Sequence, residues 1–128
     1  QKALVTPTTS AKYFDGTYMA MSAPDARGGW TVVWVTIGGD KITKVDFHST
    51  EASKDADGAV IPGKFQRKDP AVYGIAAGFT AYAEAKVELP KRFVAKNGAD
   101  IDVYTMATGT SNQAKEAVAK ALANAARK

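Results

Sequence analysis

Four aliphatic side-chain hydroxyls crowd one short stretch of this chain: Thr105, Thr108, Thr110 and Ser111. They belong to Asp102-Val103-Tyr104-Thr105-Met106-Ala107-Thr108-Gly109-Thr110-Ser111, which reads as a strand, a small-residue loop and a helix start. The first amides of a helix lack internal partners, and the helix dipole adds partial positive charge there. Small residues let an anion reach those amides, so the stretch suits a phosphate. The same residues suit plain helix capping, with Thr110 and Gln113 spaced as a capping box.

Other candidate residues carry more than one reading. His48, the single histidine, could tune a cofactor or carry a proton; it equally fits a polar position on a half-exposed strand. Trp30, Trp34, Tyr18 and Tyr104 could stack on a planar ring or fill a core. Asp55 and Asp57 beside Gly58 hint at a calcium loop, but the spacing lacks the other EF-hand ligands and the terminal Glu. A solvated loop is expected there, and no metal site. No nucleophile–base pair stands out, so no catalytic residue is assigned and a hydrolase is a distant reading.

Composition narrows the chemistry further. The chain has 128 residues, 45% of them hydrophobic, and no cysteine. That length suits one domain with its own core. Without cysteine there is no disulfide, zinc ribbon, iron–sulfur cluster or thiol nucleophile. With His48 also alone, any demanding chemistry would have to come from a cofactor that carries it. The net charge of +4 is spread along the chain, so no nucleic-acid partner is expected.

The elements that must position these residues follow from patterning. Residues 1–12 read as a flexible tether, rich in Thr, Ser and Pro. Gly16–Ser22 reads as a strand. Trp30–Ile37 is the strongest strand, apolar on both faces and so expected to be covered on both sides. Gly38-Gly39-Asp40-Lys41 turns the chain into Ile42–His48, where Thr43, Val45 and Phe47 should share one face. Residues 49–68 read as a long polar loop. Asp69-Pro70 should open a helix running to about Val87, with Val72, Ile75, Ala76, Phe79 and Ala83 on one stripe. Leu89-Pro90 should end it. Ile101–Tyr104 reads as a short strand. A last helix follows, buried through Ala114, Val118, Ala121, Leu122 and Ala125. The sum is α+β: one domain over 13–128, a curved antiparallel sheet with two helices packed on it.

The segment from Asp102 to Thr108 resembles the flavinylation motif of the FMN-binding domain family. That motif runs Asp, two variable residues, Ser or Thr, Gly, Ala, Thr, with Ser or Thr and a helix close behind. It is matched at Asp102, Thr105, Ala107 and Thr108, then by Thr110 and Ser111. Tyr13-Phe14-Asp15-Gly16-Thr17-Tyr18 and Gly39-Asp40-Lys41-Ile42-Thr43-Lys44-Val45 resemble the family's opening pattern. The resemblance implies FMN joined through its phosphate to Thr108, installed from FAD by a flavin transferase. Asp102, Thr105, Met106, Ala107, Gly109 and Thr110 would make up the rest of the cofactor-binding set. Met106 stands where the family has Gly, a residue that permits positive φ and close approach; its thioether could pack on the flavin ring. His48-Ser49-Thr50-Glu51-Ala52-Ser53 departs from the family's His-then-Glu-Thr-Pro-Gly stretch, so no role passes to His48 or Glu51.

The resemblance also implies a function and a place. The protein would be an extracytoplasmic electron carrier, periplasmic or at the cell surface, with membrane or extracytoplasmic redox partners. The start at Gln1 without Met implies a processed piece whose tether joins an upstream signal or lipid anchor, the one contact expected with a membrane. The alternative is a surface lipoprotein module, binding or structural, that keeps the fold without the cofactor.

Overall fold

The most apolar stretch of the chain becomes one of the two inner strands of a four-stranded antiparallel sheet. The computed structural model describes residues 12–25, 28–71, 73, 78 and 80–126. Its elements are β1 (Gly16–Met21), β2 (Thr31–Gly38), β3 (Lys41–Lys54), β4 (Val60–Arg67), α1 (Ala81–Lys96) and α2 (Thr108–Ala125). The strands lie in sequence order β1-β2-β3-β4. α2 packs on β1 and β2, and α1 on β3. The architecture is the expected α+β. Most of the expected tether, residues 1–11, lies outside the described residues.

One face of β2 makes the core. Thr31, Val33, Val35 and Ile37 are buried, while Val32, Trp34 and Thr36 are only half-buried. Cover on both sides was expected; the helices cover one side only. On the other side Trp34 meets His48 edge-on at 5.6 Å, and Trp30 meets Phe65 at 5.3 Å.

The hairpin from β2 to β3 turns at Gly39 (φ 59°) and Asp40 (φ 66°). Positive φ at both turn residues matches the twist of the flanking strands. Ile37 pairs with Ile42 but Thr36 pairs with Lys44, so Thr43 is an extra residue in β3. This bulge turns Thr43 outward and keeps both Ile42 and Val45 in the core. A strict alternation, which placed Thr43 with Val45, misses such a bulge.

Residues 49–68 are not a loop. β3 continues to Lys54 and β4 pairs with it, Thr50 opposite Arg67 and Ala52 opposite Phe65. β4 is exposed at every position but Ile61, so it carries no apolar alternation by which to recognise a strand. Asp55 shapes the connecting turn: its Oδ1 accepts the N–H groups of Asp57 (2.9 Å) and Ala59 (3.0 Å).

The first helix also differs from expectation. Val72, Ile75, Ala76 and Phe79 lie outside the described residues. Asp69 accepts the Ala71 N–H at 2.9 Å, but α1 starts only at Ala81 and runs through Pro90 to Lys96. An interior proline removes one helix hydrogen bond, here from the N–H that would reach the Lys86 carbonyl, and its ring crowds that carbonyl. The burial of Tyr82, Ala85, Leu89 and Phe93 along one stripe outweighs that loss. Asn97, left-handed at φ 56°, ends the helix, and its Oδ1 accepts the Ile42 N–H at 2.7 Å.

Ile101–Tyr104 is not a strand. Side chains satisfy its backbone instead: Arg92 donates to the carbonyls of Asp102 (3.0 Å) and Val103 (3.4 Å). α2 buries the expected stripe, with Ala117 added.

Because Phe93 lies beyond Pro90 and is fully buried, Phe93→Ala should cost about 3–5 kcal/mol in denaturant unfolding. Val87→Ala, on the exposed face, should stay within about 0.5 kcal/mol.

Candidate cofactor site

The site is built at the start of α2. The helix begins at Thr108, two residues before Thr110, and its N-cap Ala107 offers no side-chain cap. The capping box therefore does not form. Thr110 is buried in the first turn, and Gln113 turns toward the sheet. Its Nε2 donates to the Gly29 carbonyl at 2.9 Å, and its Oε1 accepts the Thr31 hydroxyl at 3.0 Å.

Ser111 organises the turn before the helix. Its hydroxyl is fully buried, donates to the Ala107 carbonyl (2.7 Å) and accepts the Tyr104 N–H (2.9 Å). Ala107 N–H closes a four-residue turn onto the Tyr104 carbonyl at 2.9 Å. Met106, third in that turn, has φ 71°. This is the arrangement of a type II turn, which favours glycine at that position. Met106 keeps the conformation all the same, with its side chain 70% exposed.

The first intrahelical bond is Ser111 N–H to the Ala107 carbonyl. The amides of Thr108, Gly109 and Thr110 precede it and face the end of the helix. There, a cleft of about 240 Å³ is lined by residues 106–110 and Gln113 on one wall. Lys68, Tyr73, Tyr82 and Asp25 line the other wall. A larger cavity of about 550 Å³ adjoins it, sharing Asp25, Lys68 and Tyr73 and extending along Thr50, Glu51, Ala52 and Val60 of the β3–β4 hairpin. Amides, the Thr108 hydroxyl and the Lys68 ammonium form a donor set suited to a phosphate ester. The adjoining cavity falls in the size range of small-molecule sites.

Met106, Ala107, Thr108, Gly109 and Thr110 all line this cleft. Asp102 and Thr105 do not line this cleft. Both are exposed, and Asp102 borders a shallow depression with Arg92, Lys96 and Asp100. Lys68, Tyr73, Tyr82, Asp25 and Gln113 were missed by sequence reasoning. Only folding brings them to the cleft, and no local spacing marks them. Burial raises the pKa of the Tyr82 phenol, so it stays protonated. Tyr104 donates its phenol proton to Glu84, which raises the tyrosine pKa. Hydrogen bonds from Thr80 and Tyr104 lower that of Glu84.

His48 stands apart from both cavities. Its Nδ1 is 3.1 Å from the Lys86 ammonium, which also donates to the Phe47 carbonyl. Burial first, then Lys86, lowers the His48 pKa below 6.5, with Asp46 opposing and Arg67 adding to the effect. The folded state thus favours neutral imidazole. Its contribution is full above the unfolded pKa and is lost as pH falls through the folded one.

Two measurements test this geometry. Met106→Gly should raise stability by up to about 1 kcal/mol by relieving the left-handed backbone, whereas β-branched Met106→Val should lower it by more. Stability should decline as pH falls below 6.5, and His48→Gln should flatten that decline in unfolding curves taken across the acid range.

Comparison with known proteins places the chain in a family. The FMN-binding domain family matches residues 27–123, a span that holds the sheet from β2 onward, α1, the motif turn and most of α2. A solved structure, that of the CPE2226 protein from Clostridium perfringens, superposes with a TM-score of 0.66 at 26% identity. The match covers 88% of each chain. Among curated proteins none matches. The family match supports a flavin-binding role with FMN as the cofactor. The chain belongs to the FMN-binding domain family.

Proposed function

We infer that this chain is an electron-carrying flavoprotein domain with FMN held covalently at Thr108. The observation that carries the reading is Thr108 itself. It is the first residue of α2 and lines the cleft across from Lys68. A phosphoester there needs neither cysteine nor histidine. In the attachment reaction the Thr108 oxygen bonds to the FMN phosphorus of FAD. The bond between the two phosphates breaks, AMP leaves, and the hydroxyl proton is released. A flavin transferase would supply that catalysis.

FMN supplies the electron chemistry when bound. The protein's own residues bind, orient and shield. The α2 amides and Lys68 would hold the phosphate, and the cavity beside the β3–β4 hairpin would take the ring. Met106 at the cleft mouth would limit solvent access. The family resemblance supports an extracytoplasmic setting, an upstream anchor, and redox partners in or beyond the membrane.

Co-expression with a flavin transferase should give a yellow protein whose mass gain matches FMN and survives denaturation. Thr108→Ala should abolish the covalent gain, while Thr105→Ala and Thr110→Ala keep the acceptor. Covalent flavin on the Thr108→Ala protein would refute the assignment. A wild type that stays colourless and unmodified would instead favour a module that keeps the fold without the cofactor.

A further inference from the structure

Both tryptophans of the chain, Trp30 and Trp34, stand on the sheet face away from the helices. Strand pairing places their neighbours. Met19 of β1 lies opposite Trp34, and Met21 opposite Val32. From β3, Asp46 lies opposite Trp34 and His48 opposite Val32. Phe65 of β4 extends the band, packing on Trp30 at 5.3 Å. Among the described residues, α1 and α2 both cover the opposite face, which buries Val33, Val35 and Phe47. Met19 is 55% exposed, Met21 51% and Phe65 37%. The solvent face of an antiparallel sheet is ordinarily polar, and an apolar band of this kind marks an interaction site. Its charges indicate the kind of partner. Lys44, opposite Thr36, and Arg67, opposite Thr50, stand exposed at the two ends of the band. Lys86 adds a cation beside His48, 3.1 Å from its Nδ1. Asp46 opposes them with one negative charge. A second copy would bring the same positive excess to the contact, whereas an anionic surface would be drawn to it.

We propose that this face docks on a bilayer surface rich in anionic headgroups, with Met19, Met21, Trp34 and Phe65 entering the headgroup layer and Lys44 and Arg67 meeting lipid phosphates. Indole rings favour the membrane–water boundary, where an apolar body meets polar groups. Unbranched methionines adapt to an irregular apolar surface. Exposed cations add an attraction that salt screens. The face thus combines the apolar and the electrostatic contributions on which binding to a membrane surface depends. None of these residues lines the cleft at Thr108, so the inference goes beyond the flavin reading and stands without it.

The test is vesicle binding by the full chain, prepared without a flavin transferase so that no attached flavin absorbs the emission. Trp30 and Trp34 are the chain's two tryptophans, so their fluorescence reports on this face directly. On vesicles of equal parts phosphatidylglycerol and phosphatidylcholine, the emission should shift to the blue and be quenched by brominated acyl chains. Affinity should fall at least about tenfold on phosphatidylcholine alone. Met19→Glu combined with Met21→Glu should weaken binding to the mixed vesicles by at least about tenfold. Lys44→Gln combined with Arg67→Gln should remove the preference for phosphatidylglycerol and keep the blue shift. Circular dichroism and the unfolding midpoint verify that each variant folds. Failure to bind the mixed vesicles, binding that leaves both tryptophans unquenched, or binding unchanged by the methionine substitutions overturns the proposal. A dimer that shields the tryptophans and stays off vesicles also overturns it and assigns the face to a second copy. The same emission shift with polyglutamate, and none with vesicles, assigns it instead to an acidic protein. Attachment at Thr108 is judged separately, by intact mass.

Discussion

The cleft depends on one buried hydroxyl. Ser111 ties the turn at 104–107 to the first turn of α2, accepting from Tyr104 and donating to Ala107. The Ser111 amide also makes the first bond of the helix. One residue therefore decides where α2 starts, which amides stay open, and which way the turn is wound. Without its hydroxyl, the Tyr104 N–H would lose its partner, at a cost of about 1–3 kcal/mol if buried. The left-handed backbone at Met106 follows from the same clamp. The surrounding geometry imposes that conformation against the residue's own preference.

A second polar group supports the clamp from the sheet. The Thr31 and Ser49 hydroxyls lie 2.6 Å apart, and both residues are fully buried. Ser22 accepts the Thr31 N–H, Gln113 accepts the Thr31 hydroxyl, and the Tyr82 phenol accepts the Ser49 N–H. Among the described residues, no buried side-chain polar atom lacks a partner. The core is thus graded along β2 and β3. Val33, Val35, Ile37, Ile42, Val45 and Phe47 fill one end, and a satisfied polar cluster occupies the end nearest the cleft. Burying polar atoms is tolerable there because each one is paired.

What the sequence made legible follows the same physics. α2 was readable because apolar residues recur at helical spacing, and the β2–β3 hairpin because Gly39-Asp40 interrupts two apolar runs. The loop before α2 was readable from its crowded small and hydroxyl residues, and the family from the motif they resemble. β4 was not readable, since a strand exposed on both faces has no alternation to detect. The start and extent of α1 were misread because Asp69-Pro70 and Leu89-Pro90 are strong local signals. Long-range burial of Leu89 and Phe93 overrode the second of them. The far wall of the cleft was invisible for a different reason. Lys68, Tyr73, Tyr82 and Asp25 are spread over three segments, and only folding brings the β1–β2 connection, the chain after β4 and α1 to one place.

The buried face of α2 is made largely of alanine: Ala114, Ala117, Ala121 and Ala125, with Val118 and Leu122 between them. Alanine has no rotamers to lose on burial, so the helix docks at little side-chain entropy cost. It also has none to exchange afterward. The backbone of α2 can approach β1 and β2 closely, and its distance from the sheet is set by main-chain atoms in place of adjustable side chains. The groups at its N-terminus inherit that rigidity. They sit at the end of a rod whose seating has almost no soft degree of freedom, so warming or solvent change should blur the cleft less than it blurs the open β3–β4 hairpin opposite.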